Sequence, residues 1–121
     1  MGTETSCVCG VALDNGVLLV GTSPTGRIYR SLDAGASWSL AQRLGTQTIV
    51  NNICDLGAGV VIAGTYNTGQ VWRSTDYGLT WTLAQRLGTA QYAEYLAYLG
   101  LGKCIAIASA GPQTFLSAAI P

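Results

Sequence analysis

Residues 16–46 and 59–89 align without a gap at a spacing of 43, and 18 of the 31 positions are identical. Most differences exchange like for like, as with Ile28 for Val71, Tyr29 for Trp72 and Ser37 for Thr80. A further shift of 43 places Gly102 on Gly59, Ile105 on Ile62, Phe115 on Trp72 and Ser117 on Ser74. A third, more divergent copy therefore follows the first two. An internal period of this length fits few architectures. Each copy is one supersecondary unit that cannot bury its apolar face alone and must stack on its neighbours. The sequence thus reads as a single repeat domain, 1–121, with copies at approximately 5–47, 48–90 and 91–121, the last incomplete.

Within each copy the periodicity is that of strands. The first copy predicts strands around 5–13, 17–22, 27–31 and 37–42, and the second around 48–56, 60–65, 70–74 and 80–85. Three more are expected around 91–99, 103–109 and 113–118, with no fourth. Gly16 and the stretch Pro24-Thr25-Gly26 punctuate the hairpins. The segment from Tyr92 to Leu101 is rich in helix formers, but its counterparts in the other copies are strand-like, so the repeat favours a strand. A repeat of about 40–45 residues built from short strands is the signature of a β-propeller blade. The expected fold class is all-β: a β-propeller fragment of nearly three four-stranded blades.

Two segments share the pattern Ser-x-Asp-x-Gly-x-Ser/Thr-Trp. One comprises Ser31, Asp33, Gly35, Ser37 and Trp38, the other Ser74, Asp76, Gly78, Thr80 and Trp81. The residue types suit a folded hairpin turn. The carboxylate can accept backbone N–H groups within the turn, the glycine can take positive φ, and the hydroxyls can tie the ends. The tryptophan can cover the loop while its indole N–H meets a carbonyl. A calcium site would need further carboxylates that the pattern lacks. The pattern resembles the Asp-box, or bacterial neuraminidase repeat, at two equally spaced places, within repeats that span nearly all the chain. At Ser117-Ala118-Ala119 the aspartate is gone. The resemblance implies a propeller with the box between the third and fourth strands of a blade. It also implies a structural loop, usually remote from any active site. Such repeats occur in sialidases, other glycoside hydrolases, photosystem assembly factors and sorting receptors.

A sialidase-like activity would need an arginine cluster, a Tyr/Glu nucleophilic pair and an acid. Arg30 and Arg73 share one repeat position, and Arg43 and Arg86 share another, in Ala-Gln-Arg-Leu-Gly-Thr. Arginines that recur with the repeat read as part of the frame, where their stems cover neighbouring strands; only Arg27 is unrepeated. The cluster that departs from the repeat is Tyr92-Ala93-Glu94-Tyr95-Leu96-Ala97-Tyr98. Strict alternation would put Tyr92, Glu94 and Tyr98 on one face, where they are candidate ligand-binding residues, as are Tyr66 and Asn67 on a loop. A retaining glycosidase needs two carboxyl groups about 5 Å apart, and the chain has no histidine to act as a base near neutral pH. No catalytic residue, metal ligand set or cofactor motif is assigned. The expected function is a non-catalytic module, structural or binding. The alternatives are a sialidase-like propeller that binds or hydrolyses glycans, with carbohydrate as ligand, and an excised piece of a longer propeller.

Charge excludes other classes. Six basic and six acidic residues give a formal net charge of zero, without the basic stripe on which nucleic-acid binding depends. No apolar run reaches the roughly 18 residues of a transmembrane helix. The start lacks the basic and apolar regions of a signal peptide, so a cytoplasmic protein is expected, unless the chain is already trimmed. Cys7, Cys9, Cys54 and Cys104 never coincide under the repeat, and are expected to be free, mostly buried thiols. Cys7 and Cys9, two apart, would point the same way on a regular strand.

Only 10% of residues are charged and 49% are hydrophobic, a lean surface for a small domain. Fewer than three blades cannot close a ring, and a lone arc would expose apolar faces at both ends. Self-association is the simplest remedy. Two chains approach a six-bladed ring, and a two-fold dimer is the commonest assembly symmetry. The expected partner is another copy of the chain.

Overall fold

The computed structural model describes residues 6–66, 69–86, 92–100, 103–109 and 113–117, with side chains described only as far as residue 84. All the regular elements among them are strands. The first sheet comprises β1 (Ser6–Ala12), β2 (Leu18–Ser23), β3 (Arg27–Ser31) and β4 (Ser39–Arg43), paired antiparallel in chain order. The second comprises β5 (Ile49–Gly57), β6 (Val60–Tyr66), β7 (Gln70–Ser74) and β8 (Thr82–Arg86), paired likewise. A three-stranded meander follows: β9 (Tyr92–Gly100), β10 (Lys103–Ser109) and β11 (Gln113–Ser117). Among the described residues it joins the second sheet through the backbone pair of Tyr66 with Tyr92. The strand expected in place of a helix over 92–101 is β9.

The three copies share one pairing register. Val11 faces Leu19, Cys54 faces Ile62 and Ala97 faces Ile105, all equivalent positions. Val20 with Tyr29, Ala63 with Trp72 and Ala106 with Phe115 form a second equivalent set. Even an irregularity recurs. The register shifts between Cys7 and Cys9, between Val50 and Asn52, and between Ala93 and Tyr95. Each first strand thus carries one extra residue (Val8, Asn51 or Glu94), a bulge that bends the strand and interrupts its alternation. The third copy has lost much of the sequence likeness but keeps the backbone plan.

The copies also stack in the same way. β5 packs against β1 and β2, and β9 packs against β5 and β6. The apolar layer between the first two sheets explains why. Leu13, Val17, Leu19, Ile28 and Leu44 come from the first copy, and Val50, Val61, Ala63 and Trp81 from the second. On β2, Leu19 is fully buried in this layer while its neighbours Leu18 and Val20 are half-exposed, as period-two alternation requires. Gly21 is needed for the close approach. A Cβ there would stand 2.5 Å from Val50 Cγ1 and 2.7 Å from Cys9 Sγ.

The link between the two sheets is equally tight. Gly26 N donates to Thr48 O at 2.9 Å, and Leu44 N donates to Gly26 O at 2.9 Å. The connector therefore lies against the β2–β3 hairpin. Its Gln47 is buried, and accepts at Oε1 from the Thr65 hydroxyl at 2.7 Å. A polar side chain in that place is tolerable because it is bonded.

Candidate functional site

The two Ser-x-Asp-x-Gly turns fold identically. Ser31 Oγ donates to Asp33 Oδ1 at 2.8 Å and accepts Gly35 N at 2.9 Å. Asp33 Oδ1 accepts Ser37 N at 2.8 Å, and Oδ2 accepts the Ser37 hydroxyl. Trp38 Nε1 closes the loop on Gly35 O at 3.0 Å. In the second copy Ser74 donates to Asp76 at 2.7 Å, Gly78 N to Ser74 Oγ at 2.9 Å and Thr80 N to Asp76 at 2.9 Å. The Thr80 hydroxyl completes the pair, and Trp81 Nε1 donates to Gly78 O at 2.8 Å. Ala36 N reaches Asp33 O and Leu79 N reaches Asp76 O, around central residues that all have positive φ: 59° and 90° at Ala34 and Gly35, 57° and 82° at Tyr77 and Gly78. Two consecutive residues of positive φ are what a tight hairpin turn of the primed type requires. The glycines were expected to adopt it. Ala34 and Tyr77 do so as well, held by the carboxylate network around them.

These carboxylates are engaged by their own loops. The hydroxyl and N–H of Ser37, followed by the Ser31 hydroxyl, hold Asp33 below the ordinary carboxylate range. At Asp76 partial burial acts in the opposite direction, but the bonds from Thr80 and Ser74 outweigh it and the result is again a lowered pKa. Of the other described acids, Asp14 is exposed and Asp55 accepts Gly57 N at 2.8 Å. No group of three or more potential metal ligands occurs among the described residues. Nor is any helix there long and apolar enough to cross a membrane.

The turn of the second copy is also a seam between sheets. Arg30 Nε donates to Tyr77 O at 3.1 Å. Leu19 sits against Gly78, where a Cβ would fall 2.5 Å from Leu19 Cδ1. Gln42 reaches across from β4. Its Nε2 donates to Trp81 O, and its Oε1 accepts Trp81 N, both at 2.9 Å. The frame role expected of Arg30 is realised here. The role of Gln42 went unread. Its signal is the run Leu-Ala-Gln-Arg-Leu-Gly-Thr, the longest stretch that stays identical in both copies.

The same positions have different surroundings in the two copies. Val50, Val61, Ala63 and Trp81 are buried, with Trp81 only 3% exposed. Their counterparts in the first copy are Cys7, Leu18, Val20 and Trp38. Cys7 is exposed and the other three are half-buried. Among the described residues, a Cβ placed at Gly35, the counterpart of Gly78, would meet only Leu18 and Trp38 of its own sheet, each at 3.7 Å. The front of the first sheet is thus an open version of a face that the second sheet buries.

The candidate ligand-binding residues fall out unevenly. Tyr66 is half-buried at the end of β6, and its backbone is paired with that of Tyr92; the structure therefore brings these two candidates together. Asn67 lies outside the described residues, as do the side chains of Tyr92, Glu94 and Tyr98. The alternation that put the last three on one face is interrupted by the register shift between Ala93 and Tyr95. The same bulge separates the first two cysteines. Cys7 is exposed, contrary to the expectation of burial, while Cys9 turns inward, donates to Val50 O at 3.4 Å and has its thiol pKa pushed up to about 11 by burial. Cys54 is half-buried, and none of these three cysteines is joined in a disulfide.

Comparison with protein-family models gives no match, and comparison with curated proteins gives none either.

Proposed function

We propose that the chain is a non-catalytic β-propeller module of the Asp-box type, built to assemble from identical copies. The two four-stranded sheets are its complete blades, and β9–β11 is the start of a third. The observation that carries this reading is the contrast between equivalent positions. Val50, Val61, Ala63 and Trp81 are buried between sheets, while Cys7, Leu18, Val20 and Trp38 are left open. An apolar sheet face of this kind is a liability in water until something covers it. The uniform stacking of the copies supports a curved array, and a partner chain would extend it toward closure.

The non-catalytic part rests on the acids. Asp33 and Asp76 bond within their own turns, and Asp55 bonds to a local N–H. Carboxylates held this way stabilise loops and are poor candidates for proton transfer to a substrate. The turns act as the rim fastenings of each sheet.

Sedimentation equilibrium at micromolar concentration tests the proposal. A species of about 25 kDa, twice the 12.6 kDa of one chain, is the expected result for a two-chain ring. A monomer at all concentrations would overturn it.

A further inference from the structure

We infer that the chains associate front to back. The open front of β1–β4 in one copy docks on the outer face of β9–β11 in a second copy, in the register that sheets one and two already use. This rests on the self-assembly reading and specifies its interface. The alternative is a dimer that pairs two open fronts face to face.

The chain itself shows what such a front accepts. Within the molecule, the front of the second sheet takes the back of the first. The third strand set stacks on the second sheet by the same pair of strand contacts, β9 on β5 and β6. Among the described residues no sheet meets another front to front. The front of β1–β4 has the same chemistry as the buried one. Leu18, Val20 and Trp38 replace Val61, Ala63 and Trp81, and Gly35 leaves room where Gly78 receives Leu19. A face shaped by the repeat fits the back of another repeat, and heterologous contacts of this kind form rings when the rotation closes.

The register makes the inference specific. Val50 contacts the pair Cys9 and Gly21, within 3.4 Å of Cys9 Sγ through its carbonyl. Two repeats further on, that pair becomes Tyr95 and Ile107, which face each other across β9 and β10. Cys7 stands at the position of Val50. In a front-to-back assembly, Cys7 of one chain is therefore opposite position 95 of the next.

Disulfide trapping tests this. Tyr95→Cys is oxidised with diamide, and the disulfide-linked peptides are identified by mass spectrometry. Val50→Cys serves as the control, since it should link to Cys9 within one chain. The expected product is an intermolecular bond between Cys7 and the new cysteine at 95. A dominant Cys7–Cys7 bond in an oligomer would overturn the front-to-back interface while leaving self-assembly standing. A monomer by sedimentation would remove both. Should Tyr95→Cys fail to fold, Val20→Glu gives the second reading. The half-exposed site tolerates the charge in the monomer, with an unchanged circular dichroism spectrum, and association weakens at least tenfold. Unaltered association in Val20→Glu would also overturn the interface.

Discussion

The side-chain amide of Gln42 pairs with the peptide of Trp81 like one more rung of a strand ladder, donating to its carbonyl and accepting its N–H, both at 2.9 Å. The two residues belong to different sheets. A glutamine is the right length and carries one donor and one acceptor in the geometry of a peptide. It therefore does between sheets what backbone pairing does within them.

Replacing Gln42 by Ala leaves both groups of Trp81 without that partner at a part-buried site. The expected loss is about 1–3 kcal/mol, read from urea denaturation as a lower midpoint with the slope unchanged. Gln42→Glu keeps the acceptor and loses the donor, so it should fall between the two. Equal midpoints for wild type and Gln42→Ala would show that the clamp contributes nothing.

Gly78 and Gly35 occupy equivalent turns with unequal neighbours. Alanine at either position meets the strain of positive φ, about 1–2 kcal/mol. At Gly78 it also collides with Leu19, and overpacking adds about 1–3 kcal/mol. Gly78→Ala should thus melt well below Gly35→Ala. Trimming the neighbour, in Gly78→Ala with Leu19→Ala, should give a non-additive double-mutant cycle. Strict additivity would refute the contact.

Trp81→Ala should cost about 3–5 kcal/mol, the range for a buried aromatic. Trp38→Ala should cost clearly less in the monomer, because that side chain is only partly buried. Thermal melts of the two variants at low protein concentration provide the comparison. If the front of the first sheet is an interface, the gap narrows as concentration rises.

Asp33 and Asp76 both have lowered folded-state pKa values. Unfolded aspartate titrates near 3.9. The stabilisation these groups supply is therefore fully present above that pH, and is lost as pH falls through the lower folded-state values. Melting temperature should lose this contribution only in acid, below about pH 4. The double variant Asp33→Asn with Asp76→Asn should be less stable at neutral pH and decline less steeply in acid. Parallel curves would exclude the mechanism.

The sequence by itself determined the strands and their order. A repeat of period 43 with two Ser-x-Asp-x-Gly turns fixes where strands begin and end, because alternation, glycine and local side-chain bonds act over a few residues. Each strand of the structure falls within about two residues of its expected place, the ordinary margin for element ends. Three things were decided only in tertiary structure. The bulges at Val8, Asn51 and Glu94 arise from pairing with a second strand, so alternation along one strand misplaced Cys7 relative to Cys9. The Gln42–Trp81 clamp spans 39 residues, and nothing local marks its partner. The unequal fates of Trp38 and Trp81 come from position in the stack. Identical tryptophans in matching turns differ in burial because, among the described residues, one sheet has a neighbour in front of it and the other has none.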